Sequence, residues 1–177
     1  MNNPRFVVLL GMILVAAALR LVPHPSNFTP LTAMALFGGA CFSDKRIAFF
    51  VPLIALFLSD LVIGFYAILP VVYGSFALTV CVGFWLRNQR TAGRILGASI
   101  VGAVIFFILT NFGVWAFDAL YPRTPGGLAE CYVMAIPFFW NTLLGSVLYS
   151  ALLFGGLAFM ESRFTGLREG PAVASAA

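Results

Sequence analysis

From Ile95 to Phe117, and again from Cys131 to Met160, no side chain carries a charge. Runs of that length leave a water-soluble helix without the polar stripe that normally faces solvent. In a bilayer the demand reverses, because about 20 apolar helical residues span the hydrocarbon core while satisfying their own backbone groups. The whole chain shares the bias: 62% of its residues are hydrophobic, 9% are charged and the mean hydropathy is +1.02. Soluble domains carry roughly 25% charged residues. The expected class is an all-α membrane protein, one domain over residues 1–177, with a short flexible tail from about residue 165.

Six hydrophobic segments are expected, at about 5–22, 31–43, 47–66, 71–87, 94–120 and 137–160. The second, LTAMALFGGACF, is short for a span, and a re-entrant piece is the alternative. Loop charge decides for six crossings. With the amino end inside, the cytoplasmic segments hold Arg5, Lys45, Arg46, Arg87, Arg90, Arg94, Arg163 and Arg168, whereas the outer side holds Arg20 and Arg123. That bias follows the positive-inside rule and places both termini inside. Arg5, the first apolar run and AAA at 16–18 also mimic a signal peptide. The run continues through Leu19 and Leu21 to span length, which favours a first crossing helix.

Several classes of chemistry are excluded. The chain has no G-x-x-x-x-G-K-[ST] motif, and its only lysine is Lys45, so it hydrolyses no nucleotide through a phosphate-binding loop. One histidine rules out HExxH. An intramembrane serine protease would need a histidine partner, and His24 lies in a Pro-rich loop. Cys41, Cys81 and Cys131 are widely spaced and odd in number, which indicates neither a disulfide framework nor a zinc site. The net charge of +4 is a topology signal rather than a nucleic-acid patch. No resident cofactor is implied.

Six crossings sort the polar residues by depth. His24, Ser26, Asn27, Thr29, Asp60, Tyr66, Tyr73, Asn111, Trp115, Asp118, Tyr121, Tyr132, Trp140 and Asn141 fall in the outer loops and outer helix halves. The inner halves keep small hydroxyls such as Ser99 and Ser146. Polar groups within a span mark a site unless they only tie helices together. Asn111, Trp115 and Asp118 share one helix face, and Asn141, Gly145 and Tyr149 another. These faces predict a cavity open to the outside, with the Pro-rich loop over its mouth. An aromatic belt at the membrane interface is the competing account of the Trp and Tyr residues. Asp60 is the best intramembrane carboxylate, either a proton or cation relay or a tie to a neighbouring helix.

The stretches LRLVPHPSNFTPLTAMALFGGACF, PLIALFLSDLVIGFY, PVVYGSFALTVCVGF, TNFGVWAFDALYP and GLAECYVMAIPFFWNTLLGSVLYSALLFGG run in order over nearly the whole chain. They resemble small bacterial membrane proteins related to the substrate-binding S-components of energy-coupling-factor vitamin transporters. Within that group the chain looks most like the BtuM-type cobalamin transporters. The resemblance implies a six-helix S-component-like bundle in the bacterial cytoplasmic membrane. It also implies an outward pocket closed by the loop at 22–30, and a second helix that is often short. It implies a corrinoid substrate, cobalamin, carried with an energy-coupling module of ATPases and a coupling subunit, or alone. The expected binding residues are His24, Asn27, Phe28, Tyr73, Asn111, Trp115, Tyr132, Trp140 and Asn141.

Such transporters place a helix cysteine on cobalt, and the resemblance points to Cys81, with Cys131 in the loop before helix six as the rival. Cys81 lies about 15 Å along its helix from Val71, near the middle of a ~30 Å core, and Tyr73, Ala77 and Cys81 are spaced for one face. A thiolate suits a soft metal centre, although a buried free cysteine is often a small apolar filler. No enzyme activity is expected beyond incidental loss of cyanide from bound cyanocobalamin. The alternatives are an S-component-like transporter of another vitamin or metabolite, or a membrane enzyme or assembly factor using Asp60 and Asn111 on a lipid-soluble substrate.

Overall fold

Polar residues just ahead of the apolar runs set where several helices begin. Asn3 accepts from the Arg5 amide, Asp44 from those of Arg46 and Ile47, Thr91 from that of Arg94, and Thr124 from that of Gly127. Each side-chain oxygen satisfies an amide that the first helical turn leaves free. The computed structural model describes residues 3–169. These form α1 (Pro4–Leu19), α2 (Leu31–Cys41), α3 (Lys45–Ile63), α4 (Leu69–Trp85), α5 (Ala92–Phe117), α6 (Pro125–Arg163) and a 3-10 turn at Thr165–Leu167. There is no strand among the described residues.

Helices α3, α5 and α6 are long and apolar enough to cross a membrane, while α1, α2 and α4 are shorter apolar helices. The fold therefore has the all-helical order expected from sequence. One boundary differs substantially. Helix α6 begins at Pro125 rather than at 137, with Pro137 inside it. Thr124 as cap followed by proline at the first helical position is a strong start signal, whereas an interior proline interrupts a helix locally. Cys131 and Tyr132 consequently lie on α6, not in a loop before it.

Helix α2 forms the centre. All eleven of its residues are buried, and it packs against α1, α3, α4, α5 and α6. At 1.5 Å per residue it is about 16 Å long, roughly half a hydrocarbon core. Its approach to α4 depends on two glycines. A methyl at Gly39 would strike the Val80 carbonyl and the Gly83 backbone, and a methyl at Gly83 would strike the Leu36 carbonyl. Small residues let two helix backbones come together in this way.

A buried helix end leaves carbonyls without partners unless other groups reach them. Here Arg87, just beyond α4, donates to the carbonyls of Gly39, Phe42 and Ser43 at 2.9, 2.8 and 3.2 Å. At the same end Arg5 of α1 pairs with Glu161 of α6 at 2.5 Å and with Glu169 at 3.0 Å, and Glu169 also pairs with Arg90. Leu167 is buried and its carbonyl accepts from Arg5. Residues 165–169, expected as the start of a loose tail, are therefore docked on the bundle by buried apolar surface and ion pairs. The remainder of that expected tail, 170–177, lies outside the described residues.

The glycine contact yields a stability test. Gly39→Ala and Gly83→Ala should each cost about 1–3 kcal/mol, because the added methyl forces α2 and α4 apart. Gly74→Ala, whose methyl meets nothing within 4 Å, should be neutral or gain up to about 1 kcal/mol from helix propensity. Unfolding curves in detergent micelles compare them, and equal effects at all three positions would contradict the close helix contact.

Candidate functional site

Because α2 is short, the connection from α1 must descend into the bundle to reach it. That connection is residues 20–30. Its first residue, Arg20, ends α1, and its last, Pro30, is buried at the start of α2. Proline suits that buried position because it brings no N–H that would need a partner.

Arg20 turns inward. Its guanidinium donates to Asp60 Oδ1 of α3 at 2.8 Å and also to the Ser59 hydroxyl and, at 3.4 Å, the Leu56 carbonyl. Tyr73 of α4 donates its phenol proton to the second Asp60 oxygen at 3.0 Å. The two charged side chains are 6% and 0% exposed. Both carboxylate oxygens are thus occupied, and three helices are joined at one point. Burial, and after it the negative charge of Asp60, pushes the phenol of neighbouring Tyr66 up from its ordinary pKa. Asp60 stands as a tie to α1 and α4. Arg20, counted from sequence only as a basic residue of the outer side, is its partner. The sequence signal lay in their matching depth: Asp60 closes one span and Arg20 another near the same surface.

The middle of the loop lies on α6. Asn141 Nδ2 donates to the Ser26 carbonyl at 2.9 Å, and the rings of Phe28 and Tyr149 meet at 5.7 Å. Thr29 rests on Gly145, where an added methyl would come within 3.2 Å of the Thr29 nitrogen and oxygen. The Asn141–Gly145–Tyr149 face expected to line a cavity is therefore the face on which the loop sits. Asn27 adopts φ 64°, a left-handed conformation that asparagine tolerates better than most residues. Asn27 and His24 are exposed, and the His24 ring stays within the loop, with nitrogens 2.9 Å from the Pro25 carbonyl and 3.3 Å from that of Arg20.

A third group joins α5 to α6. Tyr132 donates to the Ile108 carbonyl at 2.7 Å, and the Cys131 thiol to the Asn111 carbonyl at 3.4 Å. Asn111 bonds the Phe107 carbonyl of its own helix, and Trp115 donates to the Pro122 carbonyl. The Phe107 ring meets Tyr132 and Phe139, and Phe139 meets Trp140, which is largely exposed. Asp118 ends α5 and bonds the next backbone amide rather than Asn111 or Trp115.

The expected residues thus fall in separate places: Tyr73 with Arg20 and Asp60, Phe28 and Asn141 where the loop meets α6, Asn111, Trp115 and Tyr132 along the α5–α6 side, each on its own backbone partner, and His24, Asn27 and Trp140 exposed. Cys81 joins none of them. It is exposed, on the α4 surface shared with Leu78 and Trp85, whereas Tyr73 is partly buried against Asp60. The reason is the helical period: eight residues at 100° each leave Cys81 rotated by about 80° from Tyr73. Among the described residues no group of three or more His, Cys, Asp and Glu side chains is placed to hold a metal ion.

A sequence profile described as a family of unknown function (DUF6580) matches residues 1–172. The chain belongs to that family. No curated protein and no solved structure matches it. In this DUF6580 member the site's chemistry is hydrogen bonding and aromatic contact, with one buried ion pair.

That pair can be tested directly. Asp60→Asn leaves the buried guanidinium unpaired and should cost about 3–5 kcal/mol, whereas Arg20→Met combined with Asp60→Leu should recover most of the loss. Thermal unfolding of the two variants and the parent reads this out. Asp60→Asn behaving like the parent would contradict the pair.

Proposed function

We propose that the chain crosses the membrane six times with both termini in the cytoplasm and binds a small solute at its outer end for uptake, as S-components do. The membrane is the bacterial cytoplasmic membrane. Six consecutive helices, with eight basic residues gathered at the end where Arg5, Arg87 and Arg90 meet, support this orientation.

One observation carries the binding reading. Residues 26–30 are non-helical backbone seated against Gly145, which lies about 27 Å along α6 from Arg163. Backbone of that kind occurs at membrane depth where it is enclosed by protein or lines a water-filled cavity. Its hold on α6 is light: one hydrogen bond, one ring contact and the seat at Gly145. Lifting the loop would uncover Asn141, Gly145 and Tyr149, with Asn111 and Tyr132 on the adjoining α5–α6 surface. Amide and aromatic side chains on an apolar wall are the groups that orient a polar, ring-containing solute.

Cobalamin is the solute that the resemblance names. Its support is that resemblance together with the loop, and Cys81 adds none from its exposed position on α4. Binding is favoured over catalysis because Asp60 is held by Arg20 and Tyr73, and His24 by its own loop. Without a phosphate-binding loop, uphill uptake would draw on a separate coupling module.

Protein purified from cells fed cobalamin should carry the visible absorption of a corrinoid. Phe28→Ala with Asn141→Ala should speed its release about tenfold or more, the worth of one hydrogen bond and one ring contact. Colourless protein would remove the corrinoid, and release unchanged in the double variant would remove the lid. Cys81→Ala isolates the cobalt question, since only a sulfur ligand ties the spectrum to that residue.

A further inference from the structure

At the basic end, a lateral groove of about 480 Å³ runs between α5 and α6. Its walls are carbon, chiefly Ile95 and Leu96 of α5 and Val147, Ala151, Phe154 and Gly155 of α6. Small residues make it: Ala151, Gly155 and Ala158 follow one face of α6, and a methyl added at Gly155 meets nothing within 4 Å. Arg90 and Ala92, the latter opening α5, line the groove where α5 starts, and Glu161 lines it near the end of α6.

We propose that this groove holds an acyl chain of an anionic phospholipid, with the headgroup at Arg90 and the first turn of α5. Both walls belong to helices long and apolar enough to cross a membrane. An empty carbon-lined slot there would forfeit dispersion contacts that a lipid chain restores. The charge at the mouth selects the headgroup. This end of the bundle carries Arg5, Lys45, Arg46, Arg87, Arg90, Arg94, Arg163 and Arg168 against Asp44, Glu161 and Glu169. Glu161 pairs with Arg5 and Glu169 with Arg5 and Arg90, so those four charges balance, and the positive excess at this end comes from the remaining basic residues, Arg94 in the first turn of α5 among them. Asp44 caps α3. The α5 amino terminus adds the positive end of a 26-residue helix. A zwitterionic lipid would gain the chain contacts without this attraction. The inference requires α5 and α6 to lie in the bilayer and is independent of solute uptake.

Native mass spectrometry of the protein equilibrated with equal amounts of phosphatidylglycerol and phosphatidylcholine of identical chains tests it. Wild type should retain phosphatidylglycerol over phosphatidylcholine by about fivefold, the effect of one basic side chain near an anionic headgroup. Ala151→Leu with Gly155→Leu, which fills the groove from two exposed positions, should abolish that preference. Lys45→Gln with Arg46→Gln, which removes charge at the same end away from the groove, should preserve it. Equal retention of the two lipids by wild type would overturn the proposal. So would a preference that survives groove filling, or a dimer that groove filling dissolves, which would place a second copy of the chain there.

Discussion

An eleven-residue helix buried on every side obliges the chain to bring irregular backbone into the middle of a helical bundle. Helix α2 cannot reach from one membrane face to the other, so the segments at both of its ends must travel inward to meet it. Each such segment exposes peptide groups where water is scarce, and each therefore needs a partner. At the basic end the partner is Arg87, whose guanidinium serves three carbonyls at once. At the opposite end the answer is divided among Pro30, which has no N–H, Asn141, which takes the Ser26 carbonyl, and Gly145, whose missing side chain makes room for Thr29.

The two ends consequently differ in rigidity. Around Arg87 and Glu169, charged groups clamp the ends of α1, α2, α4 and α6 together with the segment 165–169. Around residues 20–30 only the base is clamped, by Arg20 on Asp60, while the stretch 21–27 is exposed and meets α6 through few contacts. Local opening follows the places with few buried contacts. The loop at 21–27 is therefore the segment with the fewest contacts to break, while the Arg20–Asp60 pair anchors its base.

Helix order was legible because apolar runs and caps are local signals: Thr91 and Thr124 each precede the helix they start. The shortness of α2 was legible from LTAMALFGGACF alone. Pairings between distant residues were less so. Spacing placed Asn141, Gly145 and Tyr149 on one face, yet nothing local revealed that residues 26–29 would occupy it. The partner of Arg20 was not legible because Asp60 lies 40 positions away. Cys81 has the same i, i+4, i+8 spacing from Tyr73, but spacing alone does not say which way a face is turned, and Cys81 lies at its exposed edge. The start of α6 was missed because the sixth segment was taken as the apolar run from 137, although Pro125 behind Thr124 was a local start signal.

The account rests on the loop at 20–30 facing the outside while the Arg87 end faces the cytoplasm. In a background with Cys41, Cys81 and Cys131 replaced, single cysteines at Ser26 and Lys45 report on the two ends. A membrane-impermeant maleimide applied to intact cells should label Ser26→Cys and leave Lys45→Cys untouched until the membrane is opened. Labelling of Lys45→Cys in intact cells, with Ser26→Cys protected, would place the loop and its α6 seat on the cytoplasmic side and contradict the account.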